Sequence, residues 1–280
     1  MNPVTGVVDA HHHFWDPTRR SYAWMGDELA AIRKPFGPDD LRPLLSQSGV
    51  ERTVVVQTVS DVDETREFLA IAGSTEFVAG VVGWVDLTDP DVGKGLAELQ
   101  AGPGGENLVG IRHQVHDEAD PRWLLREDVQ RGIAAVGDAG LVYDLLVRAR
   151  ELPAALETVR RHRHQRFVID HAAKPQIASG SSDVQWEAAL APFADELNVA
   201  CKLSGLVTEA AWESWTPAQL EPYVRRVLDW FGPDRCMFGS DWPVCLLAAT
   251  YDEVIHSLRS IVGFDEHIFG GTAARVYSLV

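Results

Sequence analysis

Residues 7–13 read VVDAHHH, a short apolar run that ends in three histidines. Seven further short apolar runs follow along the chain, separated by amphipathic stretches. Their continuous hydrophobicity, without strict alternation, is typical of parallel strands that are buried on both faces. The predicted strands are Val7–Ala10, Thr53–Thr58, Phe77–Val85, Leu108–Ile111, Leu141–Val147, Phe167–Ile169, Val199–Leu203 and Cys236–Phe238.

The stretches between these runs carry the signals of helices. Thr216 before Pro217 predicts an N-cap followed by proline at the first helical position, and Gly232-Pro233 predicts the end of that helix. Strand–helix alternation repeated eight times predicts right-handed βαβ units. The clearest predicted helical segments are Asp61–Gly73, Pro153–His164, Val184–Leu197 and Pro217–Phe231.

Eight such units can close into a (β/α)8 barrel of the TIM type, and a doubly wound open sheet is the main competing architecture. The first predicted strand is not followed by a G-x-G-x-x-G turn, and polar residues follow many strands rather than one switch point. The sequence contains no repeat or convincing linker. We therefore predict an α/β fold in which residues 1–280 form a single barrel domain.

The composition limits the partners and the cellular location. The chain is 46% hydrophobic and 24% charged, as in ordinary globular proteins, and its net charge of −16 argues against binding to nucleic acid or an anionic membrane. Three cysteines match no zinc-binding spacing and are predicted to be small core residues. The sequence has no secretory pattern at its N-terminus and no apolar window of 18 residues, so we expect a cytoplasmic protein. The sequence does not predict the oligomeric state.

Polar residues stand at the C-terminal ends of five predicted strands, where (β/α)8 barrels carry their chemistry. Because alternate side chains of a strand share a face, His11 and His13 should point into the barrel mouth and His12 away from it. Inward-pointing polar groups are costly to bury without partners or a function, so together they predict a functional site. The groups at the later strands are Arg112 and His113, Asp170, His171 and Lys174, Lys202 and Ser204, and Asp241 within Gly239–Pro243.

The His-x-His after the first strand and the GSDWP of residues 239–243 resemble motifs of the amidohydrolase superfamily. Within it, the chain is similar to the branch that contains L-fuconolactonase, L-rhamnono-lactonase and pyrone-dicarboxylate lactonase. The supporting segments span nearly the whole chain in the expected order: VDAHHHFWDP, LVGIRHQVHDE, LVYDLLV, FVIDHAAKP, CKLSGLVTEA, RCMFGSDWPV and GTAARVYSL. The resemblance implies a hydrolase that opens a small lactone ring, such as a sugar-derived lactone.

The resemblance also implies roles for individual residues. Asp241 matches the family's catalytic aspartate and is our candidate for the general base that activates water. His171, His11 and His13 are the further candidate catalytic residues, with His171 expected to help polarise the carbonyl. The candidate substrate-binding residues are Arg112, His113, Lys174, Lys202, Trp15 and Trp242, although packing is an equally good interpretation of the two tryptophans.

A metal is the point on which the pattern is divided. His11, His13 and Asp241 could hold one divalent ion, with zinc as the best candidate. Against this, Asp144 on the fifth strand stands where metal-dependent amidohydrolases usually have a histidine ligand. We therefore expect a lactonase that requires no cofactor. The alternatives are a metal-dependent decarboxylase or hydrolase of an aromatic-derived acid and, in a different class, a catalytically silent binding protein.

Overall fold

The computed structural model describes residues 6–180 and 183–279. Within these residues, eight parallel strands form one sheet in sequence order, so each strand pairs with the next along the chain. The strands are β1 (Val7–His12), β2 (Val50–Val56), β3 (Val78–Gly83), β4 (Leu108–His113), β5 (Val142–Leu145), β6 (Phe167–Ile169), β7 (Val199–Leu203) and β8 (Cys236–Phe238).

The last strand meets the first at the end where both strands terminate. His12 and Trp242 form a parallel bridge, the His13 backbone N–H donates to the Trp242 carbonyl at 2.7 Å, and the Asp241 N–H donates to the His11 carbonyl at 2.7 Å. The sheet is therefore nearly closed, which confirms the predicted (β/α)8 barrel over the open sheet.

Helices cover the outside of this barrel. Thr216 caps α7 in a capping box with Gln219, and Gly232 ends that helix with φ of 71°, as predicted. Between Gly6 and Gly180 and between Asp183 and Leu279, the α-helices are α1 (Pro38–Ser48), α2 (Val62–Ala72), α3 (Val92–Ala101), α4 (Glu127–Asp138), α5 (Leu152–Arg161), α6 (Val184–Leu190), α7 (Pro217–Phe231), α8 (Tyr251–Val262) and α9 (Thr272–Val276).

Several predicted boundaries were wrong by a few residues. The predicted helix Val184–Leu197 ends at Leu190 and continues as a 3₁₀ turn over Ala191–Asp195, because Pro192 has no N–H for the α-helical ladder. β1 extends beyond Ala10 to His12, where pairing with Val55 and the bridge to Trp242 continue the strand. Hydrophobicity locates a strand but does not report where its pairing stops.

The barrel interior is filled by small apolar side chains, including Val8, Ala10, Val54 and Val82. The C-terminal segment packs into the same cluster through Tyr277 and neighbouring residues. This segment lies at the N-terminal end of the strands, opposite the polar residues. Arg166, directly before β6, donates to the carbonyl of Val276 at 2.6 Å. The larger cluster, rich in aromatic and branched side chains, lies between the strands and the helices. The open end of the barrel is therefore the one that carries the polar residues.

The three cysteines, Cys201, Cys236 and Cys245, are all buried and unpaired, as predicted for small core residues. No helix formed by residues 6–180 or 183–279 has the length and apolar character needed to cross a membrane.

Candidate active site

Three histidines surround one carboxylate at the C-terminal end of the barrel. The Asp241 Oδ1 atom lies 3.3 Å from His13 Nε2, 3.8 Å from His11 Nε2 and 3.9 Å from His171 Nε2. The Nε2 atoms of His11 and His13 lie 3.2 Å apart. The structure thus brings together all four candidate catalytic residues, contributed by the ends of β1, β6 and β8.

The local structure of β1 explains why two of its three histidines reach this site. His13 Nδ1 donates to the carbonyl of Val56 at 2.7 Å, which directs Nε2 towards Asp241. His12 points the other way, and its Nε2 lies 2.9 Å from the Thr53 hydroxyl. The alternation along the strand places His12 away from the barrel mouth, as predicted.

Asp241 is held by its own backbone. Its φ of 58° lies in the left-handed region, which Asp and Asn tolerate better than most residues. Its N–H donates to the His11 carbonyl, and its carbonyl accepts from the Cys245 N–H at 2.9 Å. Gly205, with φ of 63°, lies directly beside it: a Cβ there would be 3.2 Å from Asp241 Oδ2 and 2.6 Å from His171 Nδ1. Any larger residue at this position would therefore displace the site.

A tight left-handed turn presents His171. Four consecutive residues, His171 to Lys174, have φ between 49° and 58°. Such backbone is costly for residues other than glycine and is common at functional sites. The turn places His171 against the Ser204 hydroxyl, 2.9 Å from Nδ1, and directs Lys174 to the same cavity.

A buried ionic network supports the site from below. The Lys202 ammonium lies 2.7 Å from Asp144 Oδ2, 3.0 Å from Asp170 Oδ1 and 3.2 Å from His11 Nδ1. Tyr277 donates to Asp144 at 2.7 Å, and Arg112 donates to Asp170 at 2.9 Å. Lys202 is fully buried, so the structure places it beneath His11 and not at the cavity wall where a substrate-binding lysine would lie.

The cavity above this network has a volume of about 160 Å³. Five of the predicted residues line it: His13, Arg112, His171, Lys174 and Asp241. Sequence reasoning missed the others, which are Trp24, Thr58, Gln114, His116, Asp117, Leu146 and Val244. The only sequence signal for Gln114, His116 and Asp117 was their place in the QVHDE segment directly after β4.

Besides Lys202, three candidate substrate-binding residues do not line this cavity. His113 accepts from Trp84 Nε1 at 3.0 Å, pairs with Glu118 at 2.8 Å and stacks on Trp123, so it is engaged outside the mouth. Trp15 donates to the backbone carbonyls of residues 32 and 34 and packs edge-to-face against Trp24. Trp242 is 1% exposed and contacts two phenylalanine rings. For both tryptophans, packing is the interpretation that the structure supports.

The electrostatics of the cluster define its protonation state at neutral pH. Burial alone would raise the pKa of Asp241, but His171, His13 and His11 lower it below its ordinary value, so the carboxylate is ionised. Burial lowers the pKa of His171 to about 4, although Asp241 opposes the shift, so this imidazole is neutral. An ionised carboxylate beside a neutral imidazole can accept a proton from water and leave the imidazole to form hydrogen bonds.

Part of this cluster also fits a divalent ion. The ligand atoms of His11, His13 and Asp241 converge within 4.8 Å of one another, and two of their separations, 3.2 and 3.3 Å, match the roughly 3.3 Å expected between ligands around tetrahedral zinc. The Val56 carbonyl accepts a hydrogen bond from His13 Nδ1 and so orients the ring, as the hydrogen-bond partners of ligating histidines do in metal sites. The donor set is therefore suitable for one divalent ion.

Comparisons with known proteins agree with this architecture. The chain matches the amidohydrolase family model over residues 8–279. It is 43% identical to the L-fucono-1,5-lactonase of Burkholderia ambifaria, over 99% of this chain and 97% of that protein, and 40% identical to the L-fucono-1,5-lactonase of Burkholderia multivorans, over 97% and 96%. The crystal structure of an amidohydrolase from Burkholderia multivorans with bound zinc superimposes with a TM-score of 0.92, at 39% identity, and covers 98% of this chain and 99% of that one. The chain belongs to the amidohydrolase family.

Proposed function

We propose that this protein is a lactonase that hydrolyses the ring ester of a sugar-derived lactone, such as L-fuconolactone or a related aldonolactone. The observation that carries the proposal is the ionised Asp241 carboxylate, surrounded by three histidines at the floor of a cavity of about 160 Å³. Near-full-length identity of 43% to an L-fucono-1,5-lactonase supports it.

In the proposed mechanism, Asp241 acts as general base. It orients a water molecule and takes its proton as the water oxygen forms a bond to the lactone carbonyl carbon. The ring C–O bond then breaks, and the proton on Asp241 passes to the departing ring oxygen. The product is an open-chain hydroxy acid, whose carboxyl group releases a proton to solvent at neutral pH.

Positive charge and hydrogen-bond donors next to Asp241 serve the oxyanion. Arg112 lines the cavity, and its N–H groups are engaged by Asp170 at 2.9 Å, by Gln57 and by His11, so its guanidinium is fixed in place and serves the oxyanion through its charge. His171, oriented by Ser204, offers Nε2 at 3.9 Å from Asp241 Oδ1. Groups that are already oriented stabilise developing charge without reorganisation, and the loss of one such donor typically costs ~10²–10³-fold in rate.

The cavity also contains polar atoms suited to the hydroxyl groups of a sugar lactone. Trp24 Nε1 and His116 Nδ1 are buried and have no hydrogen-bond partner within residues 6–180 and 183–279. Both residues line the cavity. A buried polar atom without a partner costs roughly 1–3 kcal/mol, so a ligand that pairs with it is favoured. These two atoms support a polyhydroxylated ring as the substrate.

The proposed reaction does not require a metal. A divalent ion held by His11, His13 and Asp241 would supply Lewis-acid polarisation of the lactone carbonyl when bound. However, both ring nitrogens of His11 face cations: Arg112 lies 3.3 Å from Nε2, and Lys202 lies 3.2 Å from Nδ1. Asp170 and Asp144 offset much of this positive charge, but Arg112 donates to the Nε2 atom of His11 that a metal ion would need as its ligand. We therefore propose that any ion is weakly held and dispensable, although the similar amidohydrolase structure from Burkholderia multivorans contains bound zinc.

The first experiment is a panel of aldonolactones and pyrone lactones, followed with a pH indicator that reports acid release. We expect at least one aldonolactone to be hydrolysed well above its spontaneous rate. Background rates across the whole panel would refute the lactonase proposal. The decarboxylase alternative would consume a proton, and a silent binding protein would produce no change.

The second experiment tests the metal. Turnover is measured after exhaustive chelation, and the untreated protein is analysed for its metal content. We expect substoichiometric metal and unchanged turnover. Stoichiometric zinc, with activity lost on chelation and restored by zinc, would refute metal independence and identify His11 and His13 as ligands.

A further inference from the structure

The positive charges on the cavity wall are already paired with carboxylates of the protein. Lys174 Nζ lies 2.7 Å from Glu209 Oε1, and Arg112 donates to Asp170 Oδ2 at 2.9 Å. Both lysine and arginine therefore have a carboxylate partner before any ligand binds. Burial, assisted by Lys174, lowers the pKa of His116 to about 3, so that imidazole adds no charge.

Glu209 is positioned for this pairing by the loop between β7 and α7. Its backbone carbonyl accepts from the Ala178 N–H at 2.9 Å, which ties the loop to the segment that follows Lys174. The side chains of Lys174 and Glu209 are 15% and 20% exposed, so the ion pair is largely shielded from water. Lys174 lines the cavity whereas Glu209 does not, which places the glutamate behind the lysine.

We propose that Glu209 is a specificity-determining residue: by neutralising Lys174, it makes the cavity select uncharged lactones over lactones that carry a carboxylate. The inference rests on the proposed lactonase function and adds the charge class of the substrate. It concerns Glu209, which does not contact the substrate and acts through Lys174.

The physical basis is competition for one ammonium group. A substrate carboxylate that approached Lys174 would meet Glu209 on the same cation, and like charges at close range repel. The exposed Asp117 on the cavity wall adds a further negative charge. A hydroxyl group can bond to the paired lysine without this repulsion. The cavity is therefore matched to a neutral ring substituted with hydroxyl groups.

The test uses two lactones that differ by one group: an aldonolactone, and the aldarolactone in which its terminal CH₂OH is oxidised to a carboxylate. kcat/KM for each is measured with the wild-type protein and with Glu209→Gln. The substitution preserves the size of the side chain but frees Lys174 from its counter-charge. The control is Glu213→Gln, which makes the same change four residues later on an exposed side chain.

We expect Glu209→Gln to raise the ratio of kcat/KM for the aldarolactone to that for the aldonolactone by about tenfold or more, the size of one charge-assisted hydrogen bond. Glu213→Gln should leave this ratio at the wild-type value. Adding Lys174→Met to Glu209→Gln should abolish the gain, because the freed ammonium is then absent.

The outcomes separate this inference from the proposed function. Hydrolysis of the aldonolactone by Glu209→Gln within about fivefold of wild type shows that the variant is folded and that the lactonase function holds. With that activity present, an unchanged ratio would overturn the role of Glu209 alone. If no lactone is hydrolysed by the wild-type protein, the proposed function and this inference both fail. If Glu209→Gln is inactive through misfolding, the variant that combines it with Lys174→Met decides, because it removes both charges of the pair. The neutralisation model predicts the wild-type ratio for this double variant, whereas a ratio about tenfold lower would show that Lys174 binds the substrate carboxylate in the wild-type protein and would overturn the model.

Discussion

Replacement of Asp241 by asparagine tests the centre of the proposed mechanism. Asparagine has nearly the shape of aspartate but cannot accept a proton at neutral pH. It also tolerates the left-handed backbone that Asp241 adopts, with φ of 58°. The two backbone hydrogen bonds, to the His11 carbonyl and from the Cys245 N–H, do not involve the side chain. The variant should therefore fold and keep its cavity.

The expected loss of activity follows from the position of the carboxylate. Asp241 Oδ1 faces three imidazoles at 3.3 to 3.9 Å. Two acidic residues line the described cavity, the buried Asp241 and the exposed Asp117. A general base contributes ~10²–10⁴-fold to a rate, which corresponds to about 2.7–5.5 kcal/mol of activation free energy. We expect kcat to fall by that factor, with a smaller change in KM.

The assay is acid release from the best aldonolactone of the panel, with thermal unfolding measured in parallel. Asp229→Asn is the matched control, because it makes the same chemical change on the exposed face of α7. If Asp241→Asn unfolds at the wild-type temperature but has lost turnover, the result supports Asp241 as the general base. If Asp241→Asn retained more than about a tenth of wild-type turnover, the carboxylate would only orient other groups, and the mechanism would need another base.

Two further predictions concern His171 beside Asp241 and the buried ionic network beneath the site. His171→Asn should lower kcat by about 10²-fold, because an oriented donor is lost. His12→Gln should leave kcat near the wild-type value, because His12 contacts Thr53 away from the cavity. Equal effects of the two substitutions would contradict the role given to His171. Lys202→Met should lower the free energy of unfolding by roughly 3–5 kcal/mol, because it leaves Asp144 without its buried counter-charge. Combining Lys202→Met with Asp144→Asn should recover part of that loss, and denaturant unfolding measures both values. With Asp144→Asn as the second single variant, a double-variant loss equal to the sum of the two single losses would indicate that the pair contributes no coupling.

The sequence by itself determined the strand–helix alternation and the end of the barrel that carries the chemistry. Continuous apolar runs identify strands buried on both faces, and the right-handed βαβ connection then leaves few arrangements. The orientation of His11, His12 and His13 also followed from local geometry, since the two-residue period of a strand does not depend on the rest of the fold. Capping at Thr216 and the helix end at Gly232 are local in the same sense.

Only the tertiary structure decided which polar residues share the cavity and which support it from below. Lys202 and Asp144 are 58 positions apart, and their contact depends on strand order and register, which no local pattern encodes. Trp24 and His116 reach the cavity from irregular segments, whose course is set by packing and not by periodicity. The pairing of Lys174 with Glu209 likewise joins loops after different strands. Contacts of this kind arise because side chains distant in sequence meet only when the sheet closes into a barrel.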